Sequence, residues 1–148
     1  MASVVAVCIS EEKGTAKHPV ELIELKKRHG ILGDAHAGDW HRQVSLLSYE
    51  KAEDFRNAGA PVTDGSFGEN LLVSGMDLKS LPVGTVLKCG NALLQVTQIG
   101  KECHSGCVIG QTMGRCIMPE EGIFARVLRG GIVRNGDAVD IDRSQELL

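Results

Sequence analysis

The sequence predicts a mainly β fold: a barrel-like, mostly antiparallel sheet with one or two packed helices. Three observations carry this reading. Seven or eight short runs of β-branched and aliphatic residues read as strands, with no regular helical crossovers between them. The 18 glycines in 148 residues exceed the usual share of ~7% and are spread along the chain, which indicates many turns. Gly90-Asn91 and Asn135-Gly136 each sit between two strand candidates, as hairpin turns do.

Residues 3–9 (SVVAVCI) form a β-branched run, apolar on both faces, the pattern of a strand buried on both sides. A second strand is expected at 20–25, followed by the basic stretch Lys26-Lys27-Arg28-His29. Residues 30–38 contain three glycines and read as a loop, and 43–47 as a short strand. Ser48 is suited to cap a helix: Glu50 falls in its first turn, Tyr49, Ala52 and Phe55 recur at helical spacing, and Gly59 and Pro61 close it. Residues 64–68 form a loop into a strand at 70–73. A Pro-Val-Gly turn at 81–84 precedes a hairpin of 85–89 with 92–99. Residues 100–115 read as irregular. Pro119, the following Glu120 and Glu121, and the late Arg126 and Arg129 predict a second helix over 119–129, packed through Ile123, Val127 and Leu128 and stopped by Gly130-Gly131. Residues 132–141 read as a closing hairpin around a type I′ turn at Asn135-Gly136. No repeat or linker divides the chain, so residues 1–148 read as one domain.

Composition narrows the function classes. A 43% hydrophobic and 24% charged chain is ordinary for a globular protein and excludes a disordered one. No apolar run approaches the ~20 residues of a membrane helix. The apolar run at 3–9 lacks a basic leader, so a cytoplasmic location is expected. A net charge of −3 and 3% aromatic residues argue against a nucleic-acid or membrane partner.

Five cysteines in a reducing compartment bind metal, react or pack more often than they pair. Cys103, Cys107 and Cys116 fall within 14 residues, just past a predicted strand, beside Lys101, His104 and Arg115. Nearby positive charge lowers a thiol's pKa and raises the fraction of nucleophilic, metal-binding thiolate. On extended backbone Lys101 and Cys103 share a face. Three readings stay open. One thiol carries sulfur or binds a soft metal centre; or Cys103, His104, Cys107 and Cys116 hold a structural zinc, although the C-x3-C spacing lacks a matching second pair; or the thiols pack. Cys8 and Cys89, inside apolar strands, read as small buried hydrophobes.

A second polar cluster spans 33–43, where His36, Asp39, His41 and Arg42 suit either a hydrogen-bonded surface loop or the wall of a pocket for an anion. A third spans 64–71, with Glu69 and Asn70 at the mouth of a predicted strand.

The clusters in this order resemble the MOSC domain, named after the C-terminal domain of molybdenum-cofactor sulfurases. The resemblance rests on Gly33-Asp34-Ala35-His36-Ala37-Gly38, on His41-Arg42-Gln43-Val44-Ser45-Leu46-Leu47 and on Phe67-Gly68-Glu69-Asn70-Leu71. It continues through Leu81-Pro82-Val83-Gly84-Thr85, Val96-Thr97-Gln98-Ile99-Gly100-Lys101-Glu102-Cys103, Gly122-Ile123-Phe124-Ala125-Arg126-Val127 and Gly136-Asp137. It covers about 3–141 and is similar in extent to the small stand-alone members.

The resemblance implies a MOSC-type β-barrel in which a cysteine at a strand end bears a persulfide or ligates the metal of a molybdenum or tungsten pterin cofactor. Cys103 matches that position, with Lys101 beside it; Cys107 and Cys116 are the alternatives. His36, His41, Arg42 and Arg115 would supply charge to the anionic cofactor, and Glu69 and Asn70 would line its pocket. The chain lacks the aminotransferase-like desulfurase domain of the large sulfurases, and no lysine has a pyridoxal phosphate setting. A separate pyridoxal phosphate-dependent cysteine desulfurase would therefore donate sulfur. Molybdenum-cofactor biosynthesis proteins, molybdoenzymes or metal-sulfur cluster metabolism would accept it. The alternatives are a non-catalytic binder of the cofactor or oxyanion, and a zinc-stabilised interaction module.

Overall fold

The computed structural model describes residues 2–11, 17–35, 37–40, 42–59, 65, 69–100 and 122–142. In chain order the strands are β1 (Ser3–Ile9), β2 (His18–Val20), β3 (Leu22–Lys26), β4 (Gly30–Ile31), β5 (Val44–Ser48), β6 (Leu71–Ser74), β7 (Val86–Cys89), β8 (Ala92–Ile99), β9 (Ile123–Arg129), β10 (Gly131–Arg134) and β11 (Val139–Ile141). The helix α1 (Tyr49–Asn57) lies between β5 and β6, and a 3-10 turn at Leu78–Ser80 precedes β7. Eight strands form one sheet in the order β11-β7-β8-β9-β5-β6-β1-β2, and three form a second in the order β10-β3-β4. Every pairing is antiparallel except β5 with β6, which are joined through α1 as a parallel pair must be joined by a crossover.

The mainly β, mostly antiparallel class is as the sequence predicts, but the barrel does not close among the described residues. β11 and β2 remain the edges of the large sheet. Each has three residues, and β2 carries Pro19, features that limit edge pairing. The three-stranded sheet covers the apolar face instead. Its Ile23, Leu25, Ile31 and Val133 share one core with Val4, Val7, Leu46, Leu94 and Val127 of the large sheet. On the opposite face Ala6, Cys8, Leu47, Leu72 and Phe124 pack with Ala52 and Phe55 of α1. β1 feeds both cores, as its two-sided apolar pattern requires. A bulge between Val4 and Ala6 lets Val4 and Val7, three residues apart, face the same side.

The predicted first helix forms. The Ser48 hydroxyl accepts from the Lys51 N–H at 3.4 Å, and Gly59 follows the helix at φ 104°. Glu50 reaches β6, where its Oε1 accepts from Ser74 Oγ at 2.8 Å and from the Gly75 N–H at 2.7 Å. Partial burial opposes ionisation of Glu50, but these bonds outweigh it and hold the carboxyl below its ordinary range.

The predicted helix over 119–129 does not form at its C-terminal half, because 123–129 is β9; residues 119–121 lie outside the described residues. Ile123, Val127 and Leu128 fit a helical face, yet Ile123, Ala125 and Val127 fit a period of two equally well. Pairing decides: β9 lies between β8 and β5, which satisfy its backbone on both sides. The predicted hairpin over 132–141 is also corrected. The turn is present, with the Asp137 N–H donating to Arg134 O at 3.1 Å, but β10 pairs with β3 and β11 with β7. Asn135 keeps a negative φ and only Gly136 is positive, at 96°, so the turn is not type I′ and it sends its strands into different sheets. The hairpin of β7 and β8 does form, with Gly90 at φ 57° as the first residue of a two-residue turn.

Cys8 and Cys89 are both fully buried, as expected from their apolar strands. Burial pushes the Cys89 thiol up to about 12, and the carboxylates of Asp137 and Asp140 add to this. The folded state therefore holds this proton more tightly than an unfolded thiol of pKa 9.0 does. That contribution to stability is complete below pH 9 and is lost as pH rises towards 12. The urea midpoint should fall across this window, and Cys89→Ala should make the fall shallower. An identical fall in the variant excludes Cys89 as its source.

Candidate functional site

Two of the three polar clusters meet at one end of the large sheet, where β1 ends and β5 and β6 begin. A buried ion pair joins them. Lys17 Nζ donates to Asp34 Oδ1 at 2.7 Å, with the side chains 1% and 0% exposed, and to Ser10 Oγ at 3.3 Å. The Ser10 N–H donates to the same Asp34 oxygen at 3.1 Å, and the Ala35 N–H to Ser10 O at 2.7 Å. The connection then runs into the 64–71 cluster. The Lys17 N–H donates to Gly65 O, and the Gly65 N–H to Glu69 Oε2, each at 2.9 Å. Gly65 has φ 92°, and a Cβ there would collide with the Lys17 carbonyl, so backbone conformation and close approach both demand glycine.

Glu69 and Asn70 are fully buried at the head of β6. Asn70 joins three strands. Its Oδ1 accepts from the Ser45 N–H at 2.9 Å and from Ser45 Oγ at 3.1 Å, and its Nδ2 donates to Cys8 O at 3.0 Å. These bonds tie β5, β6 and β1 together at one level. Both side chains bond the chain's own backbone.

Arg42 is placed differently. Its guanidinium carbon lies 5.2 Å from the centroid of the Phe124 ring, a cation–π contact. Its Nε donates to Gln98 Oε1 at 3.0 Å, and Gln98 Nε2 donates to Gly100 O at 2.8 Å. The Gly100 N–H donates to Gly122 O at 2.6 Å. Gly100 and Gly122 flank the segment 101–121, which carries the cysteine cluster. Arg42 thus braces the junction at both flanks, through Gln98 to Gly100 and through the ring of Phe124. Its Nη donors make no bond among the described residues, which leaves a positioned cation with donors for an anion.

His36, His41, Lys101, Cys103 and Arg115 lie outside the described residues, as do His104, Cys107 and Cys116. Among the described residues no group of three or more His, Cys, Asp or Glu could hold a metal. No helix there is long and apolar enough to cross a membrane. Sequence reasoning missed Ser10, Lys17 and Gln98. A lone lysine before His-Pro and a glutamine at a strand end carry no periodic or motif signal. Only the fold shows that they face Asp34 and Arg42.

Residues 33–140 match the MOSC domain. The chain belongs to the MOSC family, which is associated with molybdenum-cofactor sulfurase-type proteins. A relative from Gibberella moniliformis (strain M3125 / FGSC 7600), named "Reductase", is 29% identical over 125 residues. That match takes in 76% of this chain but only 22% of the relative, so the chain spans about a fifth of that protein's length. Among solved structures, the YuaD protein from Bacillus subtilis superposes with a TM-score of 0.77 at 23% identity, covering 95% of this chain and 96% of that one. YiiM from Geobacillus stearothermophilus gives 0.70 at 19% identity, covering 96% and 75%. These two structures share the fold.

Asn70 and Arg42 should separate on substitution. Asn70→Ala removes the three side-chain hydrogen bonds that tie β6 to Ser45 and Cys8 and should cost about 2 kcal/mol or more in urea unfolding. Arg42→Gln should cost about 1 kcal/mol, within the range of a half-buried cation–π contact. Equal losses would mean that Arg42 is structural too.

Proposed function

We propose that the chain is a sulfur carrier or a handler of a molybdenum or tungsten pterin cofactor, acting through a cysteine thiolate of the segment 101–121. The observation that supports this reading is the Arg42-braced junction of Gly100 with Gly122, which sets a fixed cation at the root of the cysteine-bearing segment. Cys8 and Cys89 are sealed in apolar cores, and Cys89 is held protonated at neutral pH, so neither is suited to transfer. Cys103, Cys107 and Cys116 remain, with Cys103 the first candidate because it follows β8 most closely.

In the sulfur-carrier form, the Cys103 thiolate attacks the terminal sulfur of a persulfide on a partner cysteine desulfurase. One S–S bond forms, one breaks, and the donor leaves as its thiolate, with no net oxidation. Lys101 favours the attacking thiolate by charge. In the cofactor form, Arg42 meets anionic oxygens of the ligand, with His36, His41 and Arg115 as the other cations. The described donor set fits this: Arg42 is fixed and has unused donors, whereas Glu69 and Asn70 serve by holding the platform beneath the loops. A bound molybdenum or tungsten would supply a soft acceptor for the cysteine sulfur. The acceptors of sulfur would be molybdenum-cofactor biosynthesis proteins or molybdoenzymes, in a cytoplasmic setting.

The test is intact-mass and peptide mass spectrometry after incubation with a cysteine desulfurase and free cysteine. The chain should gain one sulfur atom, located on Cys103, and Cys103→Ser should fold normally and gain none. Addition at Cys107 or Cys116 would move the role to that residue. No addition, together with stoichiometric zinc in the purified protein, would replace this reading with a zinc-stabilised module.

A further inference from the structure

The three-stranded sheet gives its inner face to the core through Ile23, Leu25, Ile31 and Val133. Its outer face should then be polar, as the solvated side of an antiparallel sheet usually is. Three aliphatic side chains stand there instead. Leu22 of β3, Ile132 of β10 and Leu32, just past β4, are 38%, 45% and 43% exposed. Six large hydrophobics are exposed among the described residues, and this one small face collects half of them. Single exposed aliphatics are ordinary, but a cluster marks an interaction surface.

Strand register gives the face its pattern. β10 runs antiparallel to β3, with Arg134 opposite Leu22 and Ile132 opposite Glu24. These four outward residues form the corners of a small grid. Leu22 and Ile132 occupy one diagonal, Glu24 and Arg134 the other, and diagonal corners of such a grid lie roughly 7–8 Å apart. Leu32 continues the row on the far side of Glu24, where its N–H donates to Glu24 O at 2.9 Å. Glu24 and Arg134 form no ion pair among the described residues, with each other or with any other group.

This pattern is complementary to itself. Consider two copies face to face, related by a twofold axis lying along the apolar diagonal. The rotation sets Leu22 on Leu22 and Ile132 on Ile132, and it exchanges the charged corners. Glu24 of each copy then meets Arg134 of the other. An isologous interface requires a surface of this kind. The strands of the two copies cross steeply, as in the orthogonal class of sheet packing.

We propose that the outer face of the small sheet is the interface of a twofold dimer of this chain. Leu22 and Ile132 form its apolar centre, two Glu24–Arg134 pairs flank it, and Leu32 lies beside the stem of the second copy's Arg134. A patch of this size suits a weak dimer, with a Kd of about 10 to 100 µM. None of these residues belongs to the site proposed above, so loss of the sulfur-carrier reading would leave the dimer standing.

Sedimentation equilibrium of the full chain over a concentration series tests this. The parent should show a reversible monomer–dimer equilibrium. Glu24→Arg and Arg134→Glu should each weaken self-association about tenfold or more, because like charges then face one another across the axis. Mixed in equal amounts, the two variants should associate with each other about as tightly as the parent does with itself, since both facing pairs are then of opposite sign. A pairing of Glu24 with Arg134 inside one chain would give no such recovery. Ile132→Ser should also weaken the dimer, through loss of apolar contact. A parent that stays monomeric at every concentration would leave the face to a different partner and overturn the proposal. Single variants that dimerise like the parent, or a mixture that does not associate, would overturn it as well.

Discussion

Lys17 and Asp34 meet at 2.7 Å with their side chains almost wholly shut off from water. Neither charge could be buried alone, since desolvation would cost far more than it returned. The pair exists because Ser10 adds a hydroxyl to the ammonium and a backbone N–H to the carboxylate. Ser10 follows β1, Lys17 precedes β2, and Asp34 lies in the loop between β4 and β5. Three pieces of chain distant in sequence therefore close around one charge pair, and Gly65 and Glu69 bring in a fourth. Such a pair adds little net stability over apolar residues of the same shape. What it supplies is a single arrangement of the loops above the sheet.

The site depends on that arrangement in two places. Asn70 secures the strand heads beneath the loops, linking Ser45 to Cys8. Arg42, at the end of the 33–42 loop, carries the order outward to Gln98 and Gly100, at the root of the cysteine-bearing segment. The apolar cores fix the two sheets, the buried polar groups fix the loops, and the loops set the cation beside the segment.

Much of this was legible in the sequence where a local pattern had one solution. The run at 3–9 could only be a strand with two apolar faces, and 92–99 appears with the same bounds as expected. Ser48, Glu50 and the Ala52/Phe55 spacing admit one helix. Reading failed where two periods fitted the same residues, as at 123–129, and where a turn was right but its partners were not, as at Asn135-Gly136. Among the described residues the barrel does not close, and strand count alone does not reveal that a separate small sheet covers the core. At the site, Asp34, Arg42, Glu69 and Asn70 stood out as motif residues, yet their division into structural and exposed roles came only from their partners. Lys17 was invisible, since its meaning lies in a contact across 17 residues of sequence.

The claim that the charge pair orders the loops, with the sheet standing without it, is tested most directly by amide hydrogen exchange in Lys17→Met, which keeps the apolar stem and removes the charge. Protection should fall at Ala35 and Gly65, whose N–H groups bond within this network, and persist at Cys8 and Asn70, which bond within the sheet. Equal loss at all four amides, or full protection at Ala35 and Gly65, would contradict the account.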